Sequence, residues 1–309
     1  MAAIVISEFM DEDAIKRILG GLDVIYDQTL VERRAALLAL LADVPALIVR
    51  NRTQVDAELL AKAPKLKAVG RLGVGLDNID MAACRARGIA VYPATGANDV
   101  SVVEYVIGTM LSLLRGAFAA TGEVIDGQWP RTKLLGREAS AKQLGIIGFG
   151  AIGRKVGGAA VALGMRVVAY DPYMPEADRI WGSEPADLDA LLRGSDVVSL
   201  HVPLTAGTKN LLDRAAIARM KRGAILINAA RGGVLDEAAV ADALRTGALG
   251  GAALDVFEQE PLSKARAQVF AGCPNLILTP HIAGLTHESN VRVSTMVAEK
   301  IRDHLARGR

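Results

Sequence analysis

Short apolar runs alternate with longer stretches of helical spacing along almost the whole chain. IVIS at Ile4, DVIY at Val24, ALIV at Leu47 and KAV at Val69 are aliphatic or β-branched and predict strands. Between them, LVERRAALLALLA from Leu30 repeats its apolar residues at helical spacing. A long helix is predicted over residues 100–124, and a loop with Gly127, Pro130 and Gly136 as breakers follows it. A second series then begins. QLGII and MRVVAY predict strands, as do VVSL before His201, AILIN before Ala229, GGAALDV before Phe257 and LILTP before His281. A last helix is predicted over residues 287–306. Strand–helix alternation of this kind predicts parallel sheets covered by helices on both faces, and two series predict two α/β domains.

Composition narrows the function. The 309 residues are enough for two domains, and 51% apolar content supplies ample core. With 36 basic against 34 acidic residues the net charge is only +2, which argues against binding nucleic acid through bulk charge. Aromatic residues at 4% argue against a base-stacking platform. Two cysteines, Cys84 and Cys273, form no disulfide framework and favour a reducing, cytoplasmic setting. The opening MAAIVISEFMDEDA does not read as a signal peptide, and the apolar stretch over 105–114 is too short to span a membrane. The four histidines, His201, His281, His287 and His304, show no metal-ligand spacing, so no metal is expected.

The most specific local motif is Gly148-Phe149-Gly150-Ala151-Ile152-Gly153, between an apolar strand and a helix. In a dinucleotide-binding turn the first glycine permits the tight turn. The second lets the backbone approach a pyrophosphate, and the third lets helix and strand pack closely. Amides at the helix start then face the phosphates. The next strand ends at Asp171, where a carboxylate suits the ribose hydroxyls and repels a 2′-phosphate, so NAD is expected over NADP. Arg179, eight residues on, weakens that discrimination.

Ligands in such sheets bind beyond the carboxyl ends of the strands. Three strand ends there carry chemistry: Arg231 in INAARGG, Asp255 with Glu258 and Glu260 in ALDVFEQEPL, and His281 in TPHIAG. Arginine, carboxylate and histidine together suit reduction of a 2-oxo acid. Histidine delivers or removes the proton at the reacting oxygen. A carboxylate bonded to the imidazole favours its charged form and fixes its orientation. Arginine holds the substrate carboxylate and polarises the carbonyl.

With VGRLGVGLDNID, the glycine turn, INAARGGVLDE, ALDVFEQEPL and TPHIAG in place, the chain resembles the D-isomer-specific 2-hydroxyacid dehydrogenases over essentially its whole length. The similarity is to the phosphoglycerate dehydrogenase-like branch, including its sulfolactate-dehydrogenase-type members through VISEFMDE, NRTQV and AGLTHESN. The resemblance implies a flavodoxin-like substrate domain from residues 1–98 and 286–309, and an NAD-binding Rossmann domain over 99–285. It implies a cytoplasmic homodimer built largely through the central domain, by way of the long helix and the loop around Trp129. It implies that His281 is the acid/base, Glu260 its partner and Arg231 the substrate-carboxylate residue. Asp255 would meet the nicotinamide carboxamide, and Ala229, Ala230 and Gly284 would line the cofactor. Val74 and Gly75 would offer amides to the substrate carboxylate. Glu260, where formate dehydrogenase-like relatives use glutamine, argues against formate. No regulatory C-terminal domain is expected beyond Arg309.

Arg50 and Arg52 in VRNRTQV, and Arg131 beside Trp129, suit a substrate with a second anionic group, such as 3-phosphoglycerate or sulfolactate. Without that role, reduction of plain hydroxypyruvate or glyoxylate remains. An alternative from another class is an NAD-sensing, corepressor-like interaction protein with little turnover, although the chain lacks Pro/Ser-rich tails.

Overall fold

The chain divides into two units, Met1–Asn98 with Gly284–Arg309, and Asp99–Ala283. A computed structural model of the protein describes residues 4–173 and 184–307, so Arg179 lies outside the described residues.

The first unit is built on five parallel strands, β1 Ile4–Ile6, β2 Val24–Tyr26, β3 Ala46–Val49, β4 Ala68–Arg71 and β5 Ala90–Pro93, in the order β2-β1-β3-β4-β5. Successive side chains point to opposite faces of a strand, so aliphatic runs buried on both faces are needed. Val5, Leu47, Val49 and Val69 pack with Leu37, Leu59 and Leu60 on one face. Ile4, Ile6 and Ile48 pack on the other with Leu19 and with Val293, Val297 and Ile301 of the helix His287–Arg307. That helix lies so close to β4 that a Cβ on Gly70 would come within 2.5 Å of a Val297 methyl.

The second unit holds seven parallel strands, β6 Gln143–Ile147, β7 Arg166–Tyr170, β8 Glu184–Pro185, β9 Val197–Leu200, β10 Ala224–Asn228, β11 Leu249–Leu254 and β12 Leu276–Leu278. Their order, β12-β11-β10-β9-β6-β7-β8, reverses direction between β6 and β9. The first unit's order has the same kind of switch at β1, and both are doubly wound. The helices Asp99–Arg115 and Ala151–Ala162 cover one face, through Val106, Met110, Val156 and Ala160. Leu191, Ile217, Val240 and Leu244 cover the other.

Four elements depart from the pattern reading, one of them the two-residue strand β8, which was not expected. The helix expected from Leu30 begins only at Arg34, because the Asp27 carboxylate accepts from the Thr29 amide and hydroxyl and turns the chain there. The helix expected over 100–124 stops at Arg115, where Gly116 takes φ 61° and the chain continues as a separate 3-10 turn and short helix. β5 was not expected; its residues are only half-buried at the sheet edge and it ends in proline. Among the described residues no single helix is long and apolar enough to cross a membrane.

Candidate active site

In the second unit the glycine turn follows β6 and opens the helix Ala151–Ala162. Each of its glycines has a different surrounding. Gly148 has φ 92°, and a Cβ there would lie 2.6 Å from the His201 carbonyl oxygen. A Cβ on Gly153 would lie 2.3 Å from the Gly148 carbonyl oxygen, so helix and turn close on each other. A Cβ on Gly150 would meet nothing within 4 Å. The backbone amides of Gly150, Ala151 and Ile152 have no acceptor among the described residues. Open space over one glycine and free amides at a helix start fit a pyrophosphate. Asp171, just past β7, is wired to this turn: its carboxylate accepts from the Phe149 amide at 2.9 Å and from the Tyr173 amide at 2.9 Å.

His201 follows β9, and its Nε2 shares a hydrogen bond with the Ser199 hydroxyl at 2.9 Å. Burial pulls its pKa down to about 4, so it is neutral near pH 7.

Three further loops carry the remaining polar groups. After β10, the fully buried Asn228 folds the chain on itself: its Oδ1 accepts from the Ala230 amide at 3.0 Å and its Nδ2 donates to the Arg231 carbonyl at 2.9 Å. This turn carries Ala229, Ala230 and Arg231. After β11, Glu260 accepts from the Phe257 amide at 3.1 Å on Oε1 and meets His281 Nδ1 at 2.6 Å on Oε2. Burial would raise the Glu260 carboxyl, but the His281 bond and charge, the Phe257 amide and the nearby Arg231 hold it below its usual value. An ionised Glu260 can only accept, so Nδ1 of His281 carries a hydrogen and Nε2 is left as the proton-exchanging atom.

His281 itself stands in the left-handed region at φ 58°. Asp255, fully buried, enforces this. Its carbonyl accepts from the His281 amide at 2.8 Å, and its carboxylate accepts from the Ile282 and Ala283 amides at 2.8 Å each and from the Thr279 hydroxyl at 2.6 Å. Both Asp255 oxygens are thus already bonded within the chain.

The first unit carries its own polar residues beyond its strands. Glu8, buried after β1, accepts the amides of Arg50, Arg52 and Thr53 at 2.8, 3.2 and 3.0 Å. Asn78 donates to the carbonyls of Arg50 and Thr53. The Arg50 guanidinium lies over the Phe9 ring and bonds the Phe9 carbonyl and Asn290 Oδ1. Arg52 differs: among the described residues its exposed guanidinium meets only Glu32, at 3.3 Å. After β4, the amides of Val74 and Gly75 have no acceptor among the described residues. Gly284 is half-buried, and its carbonyl accepts the Ser289 hydroxyl.

The pattern reading missed Glu8, Asn228 and Thr279. All three are polar residues closely following an apolar run, the same signal that singled out Arg231 and His281.

The sequence model described as "D-isomer specific 2-hydroxyacid dehydrogenase, NAD binding domain" matches residues 107–283. The chain is 53% identical to the (S)-sulfolactate dehydrogenase of Chromohalobacter salexigens over 304 residues, 98% of each chain. It is 38% identical to the D-3-phosphoglycerate dehydrogenase of Synechocystis sp. over 312 residues, 99% of this chain and 54% of that one, so it spans about half the length of that relative. Among solved structures it is similar to the D-lactate dehydrogenase of Aquifex aeolicus complexed with NAD and lactic acid. The TM-score is 0.87 at 31% identity, covering 99% of this chain and 96% of that one.

Proposed function

The chain belongs to the D-isomer-specific 2-hydroxyacid dehydrogenases, and from that membership we propose the part each residue plays. It is an NAD-dependent oxidoreductase that interconverts a D-type 2-hydroxy acid and its 2-oxo acid. The glycine turn Gly148–Gly153 and Asp171 would hold NAD, which would supply the hydride acceptor for oxidation of the hydroxyl-bearing carbon and the hydride donor for the reverse reaction. His281 Nε2 takes the hydroxyl proton in oxidation and gives a proton to the carbonyl oxygen in reduction. Glu260 keeps the Nδ1 hydrogen in place and stabilises the imidazolium that forms during oxidation. Arg231 holds the substrate carboxylate through its guanidinium fork. The observation that carries this reading is the 2.6 Å Glu260–His281 pair, near enough to Arg231 for its charge to act on Glu260. His281→Ala should lower kcat by about 10²–10⁴-fold with NADH binding near normal. Retained turnover would remove His281 from the reaction.

The substrate is a dianionic 2-hydroxy acid, sulfolactate in the first place, and the oxo form is sulfopyruvate. Two things support this: 53% identity to a sulfolactate dehydrogenase across 98% of both chains, and Arg52, whose guanidinium stays exposed on a loop braced by Glu8. Val74 and Gly75 offer their amides to the substrate carboxylate, while Arg50 holds the loop. NADH oxidation should run fastest with sulfopyruvate in a panel with phosphohydroxypyruvate, hydroxypyruvate, glyoxylate and pyruvate. Arg52→Ala should raise KM for sulfopyruvate about tenfold, the worth of one charged hydrogen bond, and leave hydroxypyruvate much less affected. Equal losses on both would refute the assignment.

The enzyme works as a homodimer in the cytoplasm. The dimer reading is supported by Phe118, Ile125, Trp129 and Leu135, each 71–80% exposed along one stretch of the second unit. The cytoplasmic reading is supported by Cys84 and Cys273, both unpaired.

A further inference from the structure

Thr279 and Tyr105 play no part in the scheme above, yet they continue the hydrogen-bond network beneath His281. Thr279 has one hydroxyl hydrogen, and it goes to Asp255 Oδ1 at 2.6 Å, because an ionised carboxylate accepts only. The Tyr105 hydroxyl lies 2.6 Å from the same Thr279 oxygen. With the Thr279 hydrogen already committed, Tyr105 must be the donor. The chain therefore runs in one direction, from Tyr105 in the helix Asp99–Arg115, through Thr279 after β12, to Asp255 after β11. Burial and the nearby Asp255 charge push the Tyr105 phenol up to about 12, against the opposing pull of the Thr279 bond, so the donor keeps its proton.

At the far end the chain meets an unusual backbone. A non-glycine residue at positive φ is uncommon and persists where its surroundings over-determine it. His281 at φ 58° is over-determined chiefly by Asp255: the amides of three successive residues, His281, Ile282 and Ala283, all end on Asp255 oxygens, and the His281 amide is shared with the Thr279 carbonyl at 3.1 Å. The carboxylate can hold two of them only in one rotation about its side-chain bonds. The Thr279 hydroxyl bonds the oxygen that takes the Ile282 amide, and so selects that rotation.

We propose that Tyr105 and Thr279 are positioning residues for the reaction: their directed hydroxyl chain orients the Asp255 carboxylate, which in turn sets the backbone of His281 and hence the placement of Nε2. The proposal rests on the acid/base reading of His281. It assigns a role to a helix residue 176 positions from the histidine in sequence, through a contact that ties that helix to the loop after β12.

The test compares Thr279→Val, Thr279→Ser, Tyr105→Phe and His281→Ala in the full-length enzyme, with sulfopyruvate and hydroxypyruvate as substrates. Thr279→Val keeps the shape and removes the hydroxyl. It should lower kcat at least twentyfold while the Kd for NADH stays within about threefold. The isotope effect with NADH deuterated at C4 should rise, because a misplaced acid makes the chemical step limiting. Thr279→Ser should recover most of the rate. Tyr105→Phe should lower kcat by about three- to tenfold, and it decides the matter if Thr279→Val does not fold. A purely structural role would lower thermal stability and leave kcat per folded enzyme and the isotope effect unchanged, which would overturn the proposal. Inactive His281→Ala alongside wild-type kcat in Thr279→Val and Tyr105→Phe would also overturn it, with the acid/base reading intact. Turnover by His281→Ala would overturn that reading and the proposal with it.

Discussion

Two histidines at strand ends of one sheet sit in opposite electrostatic settings. His281 shares its Nδ1 with the Glu260 carboxylate, whereas His201 pairs its Nε2 with the neutral Ser199 hydroxyl. His201 is depressed to about 4 by burial against the ordinary 6.5. The unfolded chain therefore takes up a proton as pH falls below 6.5, while the folded chain does not until about 4. The unfolded state binds more protons across that window, so His201 contributes stability that is fully present above 6.5 and lost on acidification, by up to about 1.4 kcal/mol per pH unit. Thermal melts of His201→Gln should fall less steeply between pH 6.5 and 4.5 than those of the wild type. Parallel curves would show that His201 does not carry the effect. The residues that define the candidate chemistry were legible in the sequence because polar groups after apolar strands are few. Arg231, Glu260 and His281 stand out in that way, as does Asp171 after the glycine turn. Their supports were not legible. Tyr105 sits inside an apolar helical run and reads as core, and nothing local pairs it with Thr279. Asp255 was expected to face the nicotinamide, and what the chain could not reveal is that both of its oxygens bond the loop that carries His281.

Glycines decide how the loops between elements approach one another, and two of them predict opposite outcomes. A Cβ on Gly232 would lie 1.8 Å from the Phe257 carbonyl oxygen and 2.6 Å from the Glu258 amide nitrogen. The loop after β10 therefore rests directly on the backbone that leads to Glu260, and the Phe257 amide is itself bonded to Glu260 Oε1. Backbone cannot give way as a side-chain tip can. Gly232→Ala should force Arg231 and Glu260 apart, costing about 1–3 kcal/mol of stability and lowering kcat steeply. Gly150→Ala, at φ −76° with open space beside it, should melt with the wild type yet bind NADH much more weakly. Thermal melts and NADH titrations of the pair separate the two effects, and a stability loss in Gly150→Ala would contradict the open-space reading. Strands with β-branched runs were legible because both faces of these sheets are buried. β5 escaped because its apolar run, Ile89 to Tyr92, is short, and the strand itself is half-buried at the sheet edge and closes on Pro93. The break of the long helix was harder still. Gly116 is one of three glycines, with Gly108 and Gly122, in a stretch whose spacing stays helical, and it alone of the three takes a positive φ, 61°, which ends the helix.

At the scale of the molecule, the formal net charge is only +2, so apolar exposure is the main cue to assembly. Trp129→Ser with Ile125→Ser should convert a dimer to a monomer in sedimentation velocity at micromolar concentration. A wild-type chain that sediments as a monomer would dismiss the dimer outright. The two sheets are each complete, but they are not completed in the same way. The second unit is one continuous stretch, while the first needs the helix His287–Arg307 to cover Ile4, Ile6, Ile48 and Gly70. On the ribosome this reverses the usual N-terminal-first order of domain folding. At roughly 5–20 residues per second, the first 98 residues wait about 10–40 s, with one face of their sheet bare, while the second unit is made. The segment up to Asn98 is thus made before the second unit but becomes protease-resistant only after it, once the helix His287–Arg307 is made.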